Sequence, residues 1–186
     1  MKKQYQCILA DPPWEYKVWS DKGKSRSAEK HYPTMTLTDI CAFPVADIAA
    51  KNSALFLWAT YPNLLQAFEV ITAWGFVYKT VAFTWVKHNK KSPGYFTGLG
   101  YYTRSNAEIC LLATKGQPKR MANDVRQIID APIERHSKKP DEVRDRIVRL
   151  FGDIPKVELF AREKVNGWDV FGNEVMSDID LQSFKG

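Results

Sequence analysis

The run Tyr5-Gln6-Cys7-Ile8-Leu9-Ala10 leads directly into Asp11-Pro12-Pro13-Trp14. A short apolar stretch without helical spacing reads as a buried strand. Two consecutive prolines cannot continue a ladder, because neither has an N–H to donate, so the strand stops at a rigid turn. A carboxylate, Asp11, is thereby left at the strand's carboxyl end. Working outward, the alternation of strand and helix continues. Thr38-Asp39 opens a short helical region to about Lys51, interrupted near Pro44, and Ser53 to Thr60 is a second core strand. Pro62 sits where a helix takes its first proline, and Leu64, Leu65, Phe68, Ile71 and Thr72 follow helical spacing until Gly75. Val77 to Lys87 and Ala107 to Thr114 read as strands, with a short one expected at Val125 to Ile129. Pro140 begins a helix with Asp141 and Glu142 in its first turn and Val143, Ile147 and Leu150 on its apolar face. Arg146 and Arg149 fall late in it, and Gly152 ends it. Lys156 to Ala161 is the last core strand.

Apolar strands separated by helices predict an α/β fold with a mainly parallel sheet. Ligands in such sheets bind beyond the carboxyl ends of the strands, where Asp11, Thr60, Lys87 and Arg162 all fall. The organisation expected is one domain over residues 1–175 and a loosely held tail over 176–186. Two long basic or glycine-rich loops, 15–33 and 89–104, interrupt the domain. Loops that long in a compact domain are usually functional or disordered.

The chain has 186 residues, 45% of them hydrophobic, which suffices for a core without staples. Cys7, Cys41 and Cys110 are odd in number and widely spaced, which argues against a disulfide framework and a zinc site; no metal is expected. The longest purely apolar run, Ala54 to Ala59, is far shorter than a membrane span. A cytoplasmic protein with no membrane partner follows. The formal net charge is +6, and its cations cluster at Lys17, Lys22, Lys24, Arg26 and Lys30, at Lys87, Lys90 and Lys91, and at Lys115, Lys119 and Arg120. Tyrosines and tryptophans lie near them. The pattern suits phosphate attraction beside base stacking, and equally an ordinary solvated face.

Asp11-Pro12-Pro13-Trp14 places a carboxylate, a carbonyl without a competing N–H, and an aromatic face within one turn. Two adjacent acceptors match a group with two N–H bonds, such as the exocyclic amine of a nucleobase. That amine is a poor nucleophile because its lone pair is delocalised into the ring. Accepting both hydrogens pulls electron density back onto nitrogen, and Trp14 is placed to stack on the base.

At this point the chain resembles the adenine-N6 methyltransferase family that carries the Asp-Pro-Pro-Trp signature. That family includes eukaryotic messenger-RNA adenosine methylases and bacterial and phage DNA adenine methylases. Further stretches agree in order: Ala54-Leu55-Phe56-Leu57-Trp58-Ala59, Thr84-Trp85-Val86-Lys87, Gly98 to Arg104, Glu108 to Gly116, His136 to Glu142, Glu158 to Arg162, Gly167-Trp168 and Gly172-Asn173-Glu174. The Gly98 to Gly116 stretch looks more like the bacterial and phage branch.

The resemblance implies a Rossmann-like domain with helices on both faces and a permuted motif order, and S-adenosylmethionine as methyl donor. By position it implies Asp11, Pro12, Pro13 and Trp14 as the catalytic motif. Asp11, Lys139, Phe160, Arg162, Asn173 and Glu174 are implied around the cofactor, although no Gly-x-Gly loop follows the Phe160 strand. Glu108 is implied beside the acceptor site. Trp14, Lys22, Lys24, Arg26, Lys87, Tyr101 and Arg104 complete the expected substrate contacts. His136 has no nucleophile paired with it in the sequence and reads as a loop histidine. The partner expected is nucleic acid, DNA before RNA, with a homodimer or a second methyltransferase-like subunit as a further partner. The alternatives are an RNA adenosine methyltransferase and a catalytically silent binding subunit. The intact Asp-Pro-Pro-Trp argues against the silent form.

Overall fold

The computed structural model describes residues 3–15, 34–135 and 137–181. Lys22, Lys24, Arg26, the rest of the first loop from 16 to 33, His136 and residues 182–186 lie outside the described residues. The strands are β1 (Tyr5–Ala10), β2 (Ala49–Ala59), β3 (Val77–His88), β4 (Glu108–Lys115), β5 (Ile128–Pro132), β6 (Lys156–Leu159) and β7 (Asp169–Phe171). The helices are α1 (Leu37–Cys41), α2 (Val45–Ile48), α3 (Leu64–Ala73) and α4 (Glu142–Phe151).

The strands form one sheet in the order β5-β3-β4-β2-β1-β6-β7. Every pairing between these strands is parallel except those of β4, which runs antiparallel to both β2 and β3. The fold is therefore α/β with a mainly parallel sheet, as expected. Strand alternation divides the core between the two faces. On one face Ile8, Ala10, Leu55, Leu57 and Ala59 meet Ile40, Val45, Ile48, Ala67, Val70 and Ile71 of α1, α2 and α3. On the other, Cys7, Leu9, Phe56, Trp58, Phe83 and Trp85 meet Val143, Ile147 and Phe151 of α4. Helices thus cover both faces.

Several boundaries differ from the sequence reading. The first helix begins earlier, because Thr36 is its cap: its hydroxyl accepts the Asp39 amide at 3.2 Å. The helical region stops at Ile48 rather than near Lys51, because the chain at Ala49 pairs with Tyr5 and becomes β2. On α3 the buried stripe is Ala67, Val70 and Ile71, continued by Trp74, while Leu65 and Thr72 face solvent. The indole N–H of Trp74 donates to the Ile40 carbonyl at 2.9 Å, tying α3 to α1. The expected strand at Val125 to Ile129 lies at Ile128–Pro132, where it pairs with Thr84 to His88. On α4, Phe151 supplies the last buried anchor and Leu150 is half-buried. The helix ends at Gly152, whose φ of +85° few side chains tolerate.

Strand β7 has no mark in the sequence, because three residues are too few to show a period. The described chain beyond β7 packs back on the sheet as far as residue 181. Leu181 is buried, and Asp178 accepts the Val170 amide at 2.9 Å.

Candidate functional site

Because β4 runs against its neighbours, its first residue lies at the same edge as the carboxyl ends of β1, β2 and β3. Period-two alternation then sets Lys87, Glu108, Thr60 and Asp11 on one face, in a row across β3, β4, β2 and β1. That row continues the face of Trp85, Cys110, Trp58 and Leu9.

Lys139 arrives over the row from the turn before α4. Its Nζ lies 2.7 Å from Asp11 Oδ2 and 3.2 Å from Glu108 Oε2, and Lys87 Nζ lies 2.5 Å from Glu108 Oε1. The four groups alternate in sign, Lys87, Glu108, Lys139, Asp11, and their charges sum to zero. An indole underlies each cation: Lys87 sits over Trp85 at 4.9 Å from the ring centroid and Lys139 over Trp58 at 5.5 Å.

Burial costs these ions, and the chain offsets that cost unequally. Burial opposes ionisation of Glu108, yet the Lys139 and Lys87 ammoniums beside it outweigh this and hold its carboxyl at about 2. Asp11 is pushed above its ordinary value by burial, with the Glu108 charge adding to the rise and Lys139 opposing it. Burial also opposes the Lys139 charge, but Asp11 and Glu108 together keep it protonated well above the usual range. Asp11 is thus an ionisable carboxylate of raised basicity, with one oxygen on Lys139 and the other free of that contact.

The turn after Asp11 is locked by its own backbone. The Trp14 amide donates to the Pro12 carbonyl at 2.8 Å, and the Met35 amide donates to the Pro13 carbonyl at 2.9 Å. A carbonyl oxygen has two lone pairs, so Pro12 keeps acceptor capacity beside Asp11.

Trp14 lies beneath this turn. It is 5% exposed, within the first core, and its indole N–H donates to the Trp58 carbonyl at 3.1 Å. With Pro12 and Pro13 ahead of it, the chain turns inward at Trp14, whose indole ties the motif to β2. Lys87 is likewise turned inward: its ammonium pairs with Glu108, and its side chain is only 14% exposed.

A groove runs from Asp11 and Trp58 past Lys139 to Arg144, Glu158, Phe160 and Arg162. Phe160, directly after β6, has φ +61°, a left-handed conformation unusual for a bulky residue, with its ring 5.0 Å from that of Phe43. Arg144 of α4 grips Glu158 with two bonds, 2.7 and 3.2 Å. Beyond β7, Asn173 and Glu174 are exposed, and Glu174 lies 3.5 Å from Arg162. Gly172 permits that approach, since a Cβ there would meet the Ala161 carbonyl oxygen at 2.0 Å. Tyr101 and Arg104 are exposed on the second loop.

The structure therefore brings Asp11, Glu108, Lys139, Phe160, Arg162 and Glu174 to one edge. The sequence reading missed Trp58, Arg144, Glu158 and Asn106 as site-builders. The available signal for Glu158 was a carboxylate inside the apolar run Lys156 to Ala161. Asn106 has no such signal; its side chain bonds the backbone of Lys87 through both N–H and C=O, each at 2.9 Å.

Comparison with known proteins places the chain among methyltransferases. The chain matches the MT-A70 family over residues 5–174. It is 37% identical to the Type II methyltransferase M.MunI of a Mycoplasma species, the match covering 94% of this chain and 79% of that protein. It is 30% identical to the N(6)-adenosine-methyltransferase MT-A70-like protein of Arabidopsis thaliana over 92% of this chain and 24% of that protein. Against the human N(6)-adenosine-methyltransferase catalytic subunit METTL3 the identity is 27%, over 92% of this chain and 28% of that protein. The chain spans about a quarter of the length of these two adenosine methyltransferases. A match that begins with β1 and runs on past β7 takes in both sides of the groove, and the chain accordingly belongs to the MT-A70 family of S-adenosylmethionine-dependent methyltransferases.

Proposed function

We propose that this chain methylates the exocyclic N6 amine of adenine in DNA. The observation that carries the reading is Asp11, a carboxylate of raised basicity fixed by Lys139 and set beside the Pro12 carbonyl. The likeness to the Type II methyltransferase supports DNA over RNA as substrate.

The groove residues fit the cofactor by their chemistry. An amino-acid end needs a cation and carboxylates, supplied by Lys139, Asp11 and Glu158. An adenosyl end needs an apolar face and paired hydrogen-bonding groups, supplied by Phe160, Arg162, Asn173 and Glu174. When bound, S-adenosylmethionine supplies an electrophilic methyl group.

The chain's own residues prepare the amine. Asp11 accepts one N–H and the Pro12 carbonyl the other, which localises the nitrogen lone pair and aims it. Lys139 holds the Asp11 carboxylate still, so no reorganisation is needed as charge develops. Positioning of two reactants in line supplies much of the remaining acceleration. The proton leaving the alkylated amine passes to Asp11 and then to solvent.

A duplex must release the target base before it reaches Asp11. The loops at 15–33 and 89–104 are proposed to clamp the nucleic acid, with Lys22, Lys24, Arg26 and Arg104 on phosphates and Tyr101 on a base. Choice of sequence falls to these loops, or to a second copy or methyltransferase-like subunit, within one domain over residues 1–175. The free thiols of Cys7, Cys41 and Cys110 suit the reducing cytoplasm. Among the described residues, no helix is long and apolar enough to cross a membrane.

The test is methyl transfer from labelled S-adenosylmethionine to single-stranded DNA, duplex DNA and RNA, with the product base identified by mass. N6-methyladenine formed in DNA supports the proposal. Transfer confined to RNA, or to another base, overturns it.

A further inference from the structure

We infer that Lys87 is a positioning residue for the Asp11 carboxylate, acting through Glu108 and Lys139 and making no contact with nucleic acid. The inference rests on the function proposed above for its catalytic consequence, though not for its electrostatics.

The geometry at Lys87 is that of a fixed support. Its backbone N–H and C=O are both held by the Asn106 side chain, and the Phe96 amide donates to the same carbonyl at 2.8 Å. The Asn106 amide reaches on to the Phe96 carbonyl at 2.5 Å, so the base of the second loop is sewn to β3 at this residue. The ammonium lies over the Trp85 ring and points along the row to Glu108. A surface lysine that samples phosphates has none of these constraints. Both ends of Lys87 are spent inside the protein.

The consequence travels by charge. Asp11 is faced by Lys139 from the turn before α4, by Glu108 and Cys110 from β4, by Glu158 from β6 and by Arg162 beyond it. Glu108 is the anionic neighbour that competes with Asp11 for Lys139. With Lys87 in place, Glu108 is neutralised from its other side, and Lys139 can sit closer to Asp11, at 2.7 Å, than to Glu108, at 3.2 Å. Without the Lys87 charge, Glu108 draws Lys139 toward itself and its field acts on Asp11 uncompensated. Both effects raise the proton affinity of Asp11, so a larger fraction is protonated and unable to accept the amine.

The experiment is a carboxyl-carbon NMR titration of Asp11 in the full chain, assigned with Asp11→Asn, for wild type, Lys87→Met and Lys87→Arg. Lys87→Met should raise the Asp11 midpoint by about one pH unit, and Lys87→Arg should restore it. In parallel, the salt dependence of DNA binding should keep its slope in Lys87→Met, whereas loss of a phosphate contact would flatten it by about 0.9. A midpoint that does not move, moves down, or is not restored by Lys87→Arg overturns the inference, as does a flattened slope. Thermal unfolding of each variant separates these results from misfolding. A wild-type protein that transfers no methyl group would sink the proposed function, and the titration would still decide the coupling.

Discussion

Lys139 Nζ stands 2.7 Å from Asp11 Oδ2, although 128 residues of sequence separate the two. The parallel sheet makes that meeting possible, because the turn into α4 passes over the carboxyl end of β1. The same ammonium reaches Glu108, so one cation serves two carboxylates and Lys87 supplies the balancing charge.

The first expectation concerns pH. Asp11 must be ionised to accept the amine, and its midpoint lies above the ordinary 3.8, chiefly through burial. The rate of transfer should therefore fall as pH drops through that raised midpoint. Glu108→Gln removes the competing anion and leaves Lys139 to Asp11, so the acid limb should move to lower pH. A limb that moves upward in single-turnover rates would contradict the account.

Glu108 also links pH to stability. Its midpoint is about 2 in the folded protein against an ordinary 4.5. A lowered folded midpoint stabilises the protein fully above 4.5 and loses that contribution as pH falls through about 2. The shift corresponds to about 3 kcal/mol at neutral pH. Urea unfolding should show Glu108→Gln less stable than wild type by that order at pH 7, with the gap narrowing below pH 4.5. A gap independent of pH would refute the assignment.

Trp14 should behave as an anchor. Trp14→Phe keeps an aromatic ring but loses the hydrogen bond to the Trp58 carbonyl, which should cost about 1 kcal/mol of stability. Affinity for single-stranded DNA should not change. Weakened affinity at unchanged stability, measured by fluorescence titration and thermal melts, would restore the stacking role.

The loop cations should act through phosphates. Replacing Lys22, Lys24 and Arg26 together by Gln should weaken duplex binding and reduce its salt slope by about 2 to 3. An unchanged slope would remove the first loop from the nucleic-acid interface.

Much of this arrangement is legible in the sequence. The stop from Ala10 into Pro12 and Pro13 shows a strand end carrying a carboxylate, because two prolines in succession remove the donors a ladder needs to continue. The face and end of α4 follow from Val143, Ile147 and Gly152. What escaped depends on pairing at a distance. Ala49 and Ala50 read as helix by propensity, yet they continue a strand because Ala49 lies against Tyr5. No local pattern reveals that β4 is antiparallel, and that reversal alone carries Glu108 to the edge of Asp11. Trp14 looked available because an aromatic after two prolines has no sequence mark of which way it turns. Arg144 is one cation among several on α4, and only the fold selects it for Glu158.

The most direct test of the central claim is single-turnover methyl transfer by Asp11→Asn, an isosteric change that keeps an acceptor oxygen but removes the negative charge. Binding of S-adenosylmethionine and of DNA should be measured on the same protein. The account expects weaker S-adenosylmethionine binding, because Asp11 belongs to the set around its amino-acid end, DNA affinity within a few-fold of wild type, and a transfer rate at saturating cofactor lower by about 10²-fold or more. Transfer near the wild-type rate with binding intact would contradict it, and would move the activation of the amine away from Asp11.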